Sequence, residues 1–266
     1  MKTKAIFFDI DGTLVSFRTH RIPDSAQEAI SALRADGIKT FIATGRPWIL
    51  IDNLEDTVFD GYITVNGCSC FTADFKPIYE SSIPREDVGR LIDSGITDEI
   101  PFVFTDGTDM FVTGINERVK AIANLIRLPV PRVAPVEDAR HKDFFQMMGY
   151  FTEEEEEEER ENRLNLFNQI LTHCTPMRWH PLFADIITSG NSKRTGIDKV
   201  LDYFHIDLSE SVAFGDGGND IPMLRHVAIG VAMGNAGDKV KAAADYVTTE
   251  IDEDGVAKAL RHFNLI

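Results

Sequence analysis

Cysteine is scarce in this sequence, and long hydrophobic runs are missing. The three cysteines stand at positions 68, 70 and 174, and the one-residue gap in Cys68-Ser69-Cys70 does not fit a redox or zinc pair. No stretch approaches the roughly 20 apolar residues that a membrane-spanning helix needs. The apolar run near the N-terminus is too short for a signal peptide. We therefore expect reduced thiols, no membrane partner and a cytoplasmic location.

Positive charge is also in short supply. Lysine and arginine number 27 against 43 aspartates and glutamates, which gives a formal net charge of −16 at pH 7. A field of that sign repels the phosphate backbone of nucleic acids, so no nucleic-acid partner is expected. The same field repels anionic metabolites unless their binding site carries its own cations. Nothing in the pattern indicates an obligate protein partner.

The most acidic segment is a run of seven glutamates at residues 153–159. Carboxylates are favourable in the first turn of a helix because they face the positive end of its dipole. Thr152 fits the N-cap position, with Glu155 at the third position of the helix. We interpret the run as the solvated start of a helix without a specific partner.

Strands and helices alternate at both ends of the chain. Amphipathic segments predict helices, among them one opened by Pro23-Asp24-Ser25, one after Pro47 and one over 193–204. Because parallel strands are joined by crossover helices, this alternation predicts a parallel sheet with helices on both faces. The predicted strands are residues 4–10, 38–43, 62–65, 212–214, 228–232 and 246–248.

The middle of the chain follows a different pattern. Residues 102–112 form a predicted hairpin around Asp106-Gly107. A helix over 117–128 and strands near 144–148, 177–180 and 185–188 complete a mixed α+β region. We therefore predict an α/β fold, with a Rossmann-like, doubly wound parallel sheet and an inserted α+β domain. The expected core is residues 1–81 and 185–266, and the expected insert is residues 82–184.

Three polar clusters fall where predicted strands end. Ligands of open α/β sheets bind outside the carboxyl ends of the strands, so the clusters are expected to share one pocket. An acid after a single strand is often only a helix cap, but three clusters and a lysine that opens a helix are hard to explain in that way. The clusters are Asp9-Ile10-Asp11-Gly12-Thr13, Thr44-Gly45-Arg46 and Gly215-Asp216-Gly217-Gly218-Asn219-Asp220, and the lysine is Lys193.

Four acids of these clusters, Asp9, Asp11, Asp216 and Asp220, would then lie close together. Carboxylates in such proximity repel each other unless some take up protons or a cation binds. Mg²⁺ is the best match, because it is bound by carboxylate and carbonyl oxygens while it retains water and phosphate ligands. The sequence has no EF-hand loop and no cluster of His and Cys, which disfavours Ca²⁺ and Zn²⁺. Mg²⁺ is therefore the predicted cofactor, and it would let an acidic protein accept a phosphate ester.

The order of the motifs is informative as well. They are Asp9-x-Asp11-Gly12-Thr13, Thr44-Gly45-Arg46, Lys193, Gly215-Asp216-x-x-Asn219-Asp220, and two later segments at residues 230–236 and 244–248. This set resembles the haloacid dehalogenase (HAD) superfamily, and within it the Cof-type sugar-phosphate phosphatases. The likeness covers essentially the whole chain, and the insert lies where that family has its larger cap domain. The chain departs from the pattern around Lys193, where Ser192-Lys193-Arg194 stands in place of the usual Ser-Lys-Gly.

The resemblance implies a role for each catalytic residue. Asp9 would be the nucleophile that takes the phosphoryl group. Asp11 would protonate the leaving alkoxide and then activate water. Thr44 would donate a hydrogen bond to a phosphate oxygen, and Lys193 would stabilise the negative charge of the transferring group.

The resemblance also implies metal and substrate contacts. The expected metal ligands are Asp9, Asp216, the backbone carbonyl of Asp11, and Asp220, the last directly or through water. Arg46 would contact the leaving group, with a surface ion pair as the alternative. Asp185 would contact the substrate at the return from the insert, unless it only satisfies the backbone there. The other expected substrate contacts are Gly45, Asn66, Gly67 and Asn219.

These assignments predict Mg²⁺-dependent hydrolysis of a small phosphorylated metabolite, a sugar (hexose) phosphate, through a phosphoaspartate on Asp9. The proton-transfer group at Asp11 favours hydrolysis over the long-lived phosphoaspartate of transport ATPases. A phosphomutase of the same superfamily, which passes the phosphoryl group to a second sugar hydroxyl, is the alternative enzyme. A non-catalytic sensor of phosphorylated metabolites is the alternative outside the enzymes.

Overall fold

The structure is a computed structural model, which describes residues 2–125, 129–151 and 155–266. Its strands are β1 (Ala5–Phe8), β2 (Lys39–Ala43), β3 (Gly61–Thr64), β4 (Ser69–Thr72), β5 (Pro77–Glu80), β6 (Phe102–Thr105), β7 (Met110–Val112), β8 (Arg132–Val133), β9 (Gln146–Tyr150), β10 (Cys174–His180), β11 (Phe183–Thr188), β12 (Ser211–Gly215), β13 (Ile229–Ala232) and β14 (Tyr246–Val247). Its α-helices are α1 (Asp24–Ala35), α2 (Arg85–Asp93), α3 (Ile96–Glu99), α4 (Glu117–Leu125), α5 (Glu157–Ile170), α6 (Lys193–Phe204), α7 (Ile221–Leu224), α8 (Asp238–Lys241) and α9 (Gly255–His262).

The chain forms two compact units. The first comprises residues 1–46, 51–80 and 191–266, and the second comprises residues 47–50 and 81–190. Residues 185–190 thus lie in the second unit, whereas the sequence pattern returned them to the core. The reason is strand pairing, because β11 pairs antiparallel with both β9 and β10 along its length.

The first unit is built on one sheet in the order β14-β13-β12-β1-β2-β3-β4-β5. The strands from β14 to β3 run parallel to their neighbours, and β4 and β5 extend the sheet as an antiparallel hairpin that the sequence pattern did not predict. The predicted parallel sheet of an α/β fold is therefore confirmed.

Strand β1 shows why this sheet is covered on both faces. Its sequence Ala-Ile-Phe-Phe is apolar at every position, and all four residues are fully buried. Side chains alternate between the faces of a strand. Accordingly Phe8 packs in a cluster with α1 and α9, and Phe7 packs in a cluster with α6, α7 and α8. Helices on both faces leave only the strand ends open to a ligand.

The second unit has a mostly antiparallel sheet in the order β10-β11-β9-β6-β7-β8, with only β7 and β8 parallel among the described pairs. Phe102 and Phe104 of β6 pack with α2 and α5 in one apolar cluster. Val103 of the same strand packs with α4 in another cluster. The unit is thus a sheet with helices on both of its faces.

Two sequence-based helix predictions need correction. The segment after Pro47 forms only a single 3₁₀ turn at Trp48–Leu50, and Glu55 adopts a φ of 52°, which a right-handed helix cannot contain. Helix α5 begins at Glu157, with Glu156 as its N-cap in a capping box with Glu159. Glu155 is buried beside Arg163 rather than solvated. The predicted cap Thr152 lies outside the described residues, as do residues 126–128 of the predicted helix over 117–128.

Within the described ranges, no helix combines the length and the hydrophobicity that crossing a bilayer would require. The three cysteines are buried and free of disulfide bonds.

Candidate active site

The carboxyl ends of three neighbouring strands bring the predicted clusters together. In the register of the sheet, Phe8 of β1 lies opposite Phe214 of β12 and Ile42 of β2. The chain leaves all three strands at the same edge of the sheet. Asp9 follows β1 directly, and its backbone N–H donates to the carbonyl of Phe214. Thr44 follows β2 and Asp216 follows β12. This edge is the predicted site.

Lys193 stands between two of the carboxylates. Its Nζ lies 2.5 Å from Asp9 Oδ1 and 2.5 Å from Asp220 Oδ1, and the lysine side chain is fully buried. The residue is held there because α6 begins at Lys193, with Ser192 as the N-cap that accepts a hydrogen bond from the backbone of Thr195. The helix start therefore fixes a positive charge against the acid predicted to be the nucleophile.

The pKa values of these groups are shifted by burial and by mutual repulsion. Burial raises the pKa of Asp9 well above its ordinary value, Lys193 lowers it in part, and the negative charges of Asp220 and Asp216 raise it further. Burial and the charge of Asp220 raise the pKa of Asp216 to about 7. Burial lowers the pKa of Lys193, but Asp220 and Asp9 outweigh burial and raise it. The lysine thus stays charged while the acids compete for too little positive charge.

The acids fit a hard divalent cation. Asp9, Asp216 and Asp220 each place a carboxylate oxygen so that these atoms all lie within 4.8 Å of one another. With all groups ionised, these three acids and Lys193 carry two more negative charges than positive. Oxygen ligands in a cluster of that charge match Mg²⁺. Asp11 does not place its carboxylate in this cluster, and metal binding by its backbone carbonyl stays a prediction.

Asp216 is oriented by residues that the sequence pattern did not identify as functional. Its Oδ1 accepts a hydrogen bond of 2.8 Å from the hydroxyl of Thr13. The amide of Asn235 donates to Asp216 Oδ2 at 3.3 Å and to the carbonyl of Gly12 at 2.9 Å. Thr13 and Asn235 lie in two of the motifs on which the family resemblance was based. That resemblance was the sequence signal that could have identified them as functional.

Gly12 is required by this arrangement. It adopts a φ of +85°, and a Cβ at this position would lie 2.3 Å from Asp216 Oδ2. Only glycine allows the turn after Asp11 to approach this carboxylate so closely. The turn of the first motif therefore reverses the chain and also packs against a carboxylate of the acidic cluster.

Asp220 is anchored deep in the site. Its Oδ2 accepts hydrogen bonds from the backbone N–H groups of Asp216 and Gly217, at 2.9 and 2.8 Å. Its Oδ1 accepts from Lys193, and the side chain is fully buried. Asp220 therefore holds the loop that carries Asp216 against the lysine, besides belonging to the acidic cluster.

Asp11 faces Arg46. The guanidinium donates to both carboxylate oxygens, from Nε to Oδ2 and from Nη2 to Oδ1, each at 2.6 Å. The arginine side chain is 13% exposed and that of Asp11 is 30% exposed, so the pair lies at the accessible rim of the site. Arg46 therefore forms an ion pair, and its partner is the acid predicted to transfer the proton. Its contact with the leaving group stays a prediction.

Several predicted substrate contacts lie near the loop that follows β2. Thr44 is buried, and its hydroxyl accepts from the backbone N–H of Arg46 at 3.1 Å, which leaves its own proton available for donation. The amide of Asn219 donates to Asn66 Oδ1 at 3.0 Å. A Cβ on Gly45 would lie within 3.4 Å of both amides. The structure thus brings these predicted substrate contacts together in the first unit.

Two of the predicted substrate contacts have other surroundings. A Cβ on Gly67, at a φ of +93°, would lie 2.1 Å from the carbonyl oxygen of Ser192, so this glycine allows the backbone to pack against the start of α6. Asp185 lies in β11 of the second unit, where it is buried opposite Met148 and Met177. Its negative charge adds to the effect of burial in raising the pKa of Tyr150. Substrate binding by Asp185 stays a prediction.

Comparison with known proteins agrees with this geometry. The haloacid dehalogenase-like hydrolase family matches residues 6–260. The chain belongs to this family. This chain, a HAD-like hydrolase, is similar in structure to the HAD subclass IIB sugar phosphatase BT4131. The TM-score is 0.89, and the sequence identity is 46% over 99% of this chain and 100% of that chain.

Two relatives from Bacillus subtilis match this chain over nearly their full length. One is YkrA, named as a phosphatase, which is 32% identical over 100% of both chains. The 5-amino-6-(5-phospho-D-ribitylamino)uracil phosphatase YitU is 28% identical over 99% of both chains. Family, fold and relatives together identify this HAD-like hydrolase as a phosphatase, as the sequence motifs predicted.

Proposed function

We propose that this phosphatase hydrolyses a small sugar phosphate, of the hexose class, in a Mg²⁺-dependent reaction that forms a phosphoaspartate on Asp9. The observation that carries the proposal is the buried contact between Asp9 and Lys193 inside an acidic cluster that also contains Asp216 and Asp220. This arrangement supports the proposal, because it would put a nucleophilic carboxylate next to a fixed cation for the phosphoryl oxygens and a site for a divalent ion. The sugar class is supported by the similarity to BT4131, a sugar phosphatase.

The first step is transfer of the phosphoryl group to the enzyme. Lys193, Thr44 and Asn219 bind and orient the phosphate oxygens. A carboxylate oxygen of Asp9 attacks phosphorus, the new oxygen–phosphorus bond forms, and the bond to the sugar oxygen breaks. Asp11 gives its proton to the leaving alkoxide. Bound Mg²⁺ would neutralise charge on the phosphoryl oxygens and the carboxylates.

The second step returns the enzyme to its starting state. Asp11, now a carboxylate, takes a proton from a water molecule that attacks the phosphorus of phosphoaspartate. The bond between Asp9 and phosphorus breaks, and inorganic phosphate leaves.

Arg46 holds both oxygens of Asp11 in the described structure. At least one of these bonds must therefore be replaced before Asp11 can donate a proton to the leaving group, and we assign the released guanidinium a contact with the substrate.

The test is release of inorganic phosphate from a panel of sugar phosphates, with Mg²⁺ and with EDTA. Asp9→Asn removes the nucleophile with little change of volume, so release should fall by about 10³-fold or more. The matched control is Asp56→Asn, the same change at an exposed acid, which should keep wild-type activity. Acid quench with a phosphate-labelled ester should trap label on wild type and none on Asp9→Asn.

Two results would count against the proposal. Release that persists in Asp9→Asn would exclude the covalent route. A requirement for an added sugar bisphosphate, with transfer to a second sugar in place of release, would favour the phosphomutase.

A further inference from the structure

The turn between β3 and β4 adopts an unusual backbone conformation beside the active site. Val65 and Asn66 both have a φ of 50°, and Gly67 follows with a φ of 93°. Left-handed φ values are disfavoured for residues with a Cβ, and most strongly for β-branched ones such as valine. Non-glycine residues persist in that region only when the surrounding structure holds them there, and such residues concentrate at functional sites.

Backbone contacts with two neighbouring segments hold this turn. The backbone N–H groups of Val65 and Asn66 donate to the carbonyls of Arg46 and Thr44, at 3.1 and 3.0 Å. Gly67 packs against the carbonyl of Ser192, the N-cap of the helix that begins with Lys193. The turn therefore joins the β2 loop to the start of α6.

The Asn66 side chain extends this connection to the β12 loop. Its Oδ1 accepts the hydrogen bond from Asn219 Nδ2 at 3.0 Å. The residue is 1% exposed, and its own Nδ2 is buried with no hydrogen-bond partner in the described part of the chain. A buried donor without a partner lowers stability, so folding alone does not explain an amide here.

We infer that Asn66 is a positioning residue for the phosphatase reaction, which holds the amide of Asn219 in the orientation that contacts the phosphoryl group. This inference rests on the proposed function, in which Asn219 binds a phosphate oxygen. The Oδ1 of Asn66 is already engaged by the amide of Asn219, so we assign Asn66 an action through Asn219. The strained turn gives Asn66 a fixed position relative to Thr44 and Lys193. It thereby sets the spacing of three phosphate contacts that come from separate loops.

The variant that isolates the side chain is Asn66→Gly, because glycine adopts the left-handed backbone without strain. We expect kcat/KM for p-nitrophenyl phosphate in Mg²⁺ to fall by about 10- to 100-fold, since small displacements of a contact group produce losses of that size. The melting temperature should change little, because removal of the buried unpartnered donor and of the backbone strain at Asn66 offsets the lost hydrogen bond from Asn219. Asn264→Gly is the matched control, since Asn264 is exposed and has a φ of 54°, and it should leave kcat/KM unchanged.

The double variant decides whether Asn66 works through Asn219. If it does, Asn66→Gly combined with Asn219→Ala should be no slower than Asn219→Ala alone, because the lost contact is the same. The inference would be overturned if the losses of kcat/KM in the two single variants multiplied in the double variant. It would also be overturned if Asn66→Gly kept the wild-type kcat/KM while Asn219→Ala was impaired. Wild-type kcat/KM in Asn219→Ala would instead refute the proposed contact between Asn219 and phosphate. Absence of phosphate release from the wild-type enzyme would refute the proposed function itself.

Discussion

Replacing Lys193 with methionine should destabilise the metal-free enzyme strongly. The ammonium makes two contacts of 2.5 Å, with Asp9 and Asp220. At an effective dielectric constant of about 20, each contact contributes about 6 to 7 kcal/mol of attraction. Desolvation of the buried ions offsets much of this, but removing one partner of a buried pair leaves a net loss of about 3 to 5 kcal/mol. Methionine fills a similar volume, so a cavity adds little.

The measurement is the free energy of unfolding by urea at pH 8 in the presence of EDTA, with circular dichroism as the signal that reports unfolding. Lys199→Met is the matched control, since Lys199 is an exposed lysine on the same helix, and its change should stay within about 1 kcal/mol. The deficit of Lys193→Met should shrink in Mg²⁺, which supplies positive charge to the same carboxylates. Activity should not return with Mg²⁺, because the contact with the phosphoryl group is lost.

The loss of stability in Lys193→Met should also depend on pH, and it should be larger at high pH. Burial raises the pKa of both Asp9 and Asp216 in the folded state, so the native protein can take up protons there as pH falls while the unfolded chain does not. At pH 5 the loss from Lys193→Met should therefore be smaller than at pH 8. A variant as stable as wild type in EDTA at pH 8 would refute the assignment of Lys193 as the charge that balances the cluster.

Two further predictions concern the acidic cluster of Asp9, Asp216 and Asp220. The folded pKa of Asp216 is about 7 against an ordinary 3.8, so wild-type stability in EDTA should fall as pH rises from about 4 to 7, by at most about 4 kcal/mol for this group. Thermal unfolding with and without Mg²⁺ would show this, and a Mg²⁺ shift that is no larger at pH 8 than at pH 5 would contradict it. Gly12→Ala should lower kcat/KM about 100-fold or more and weaken Mg²⁺ binding, because its Cβ would lie 2.3 Å from Asp216 Oδ2. Gly37→Ala has a similar φ of +79° but nothing within 4 Å, and it should cost only about 1 to 2 kcal/mol of stability, with activity retained.

The parallel sheet and its reactive edge could be predicted because their signals are local. An apolar run such as β1 is buried on both faces, and an acid directly after it must lie at the strand end, whatever the rest of the chain does. The helix that begins at Lys193 was also predicted from local pattern, and in the structure Ser192 caps it. These features depend on residues close together in the chain.

Electrostatic surroundings could not be predicted in the same way. The glutamates at residues 153–159 look alike in the sequence, yet Glu155 is buried against Arg163 while Glu157 is exposed beside Arg178. Which glutamate is buried depends on where the two arginines lie in the folded second unit. A composition argument treats all seven as solvated and therefore misplaces Glu155.

The sequence by itself determined the fold class, the strand ends that carry the acids, and the phosphatase chemistry expected of them. Only the tertiary structure decided which side chains hold those acids in place. Arg46 bonds to Asp11 across 35 residues of chain, and Asn219 bonds to Asn66 across 153. The physical reason is that such pairs form between loops of separate strands, where geometry is set by packing and strain and not by the periodicity of any one segment.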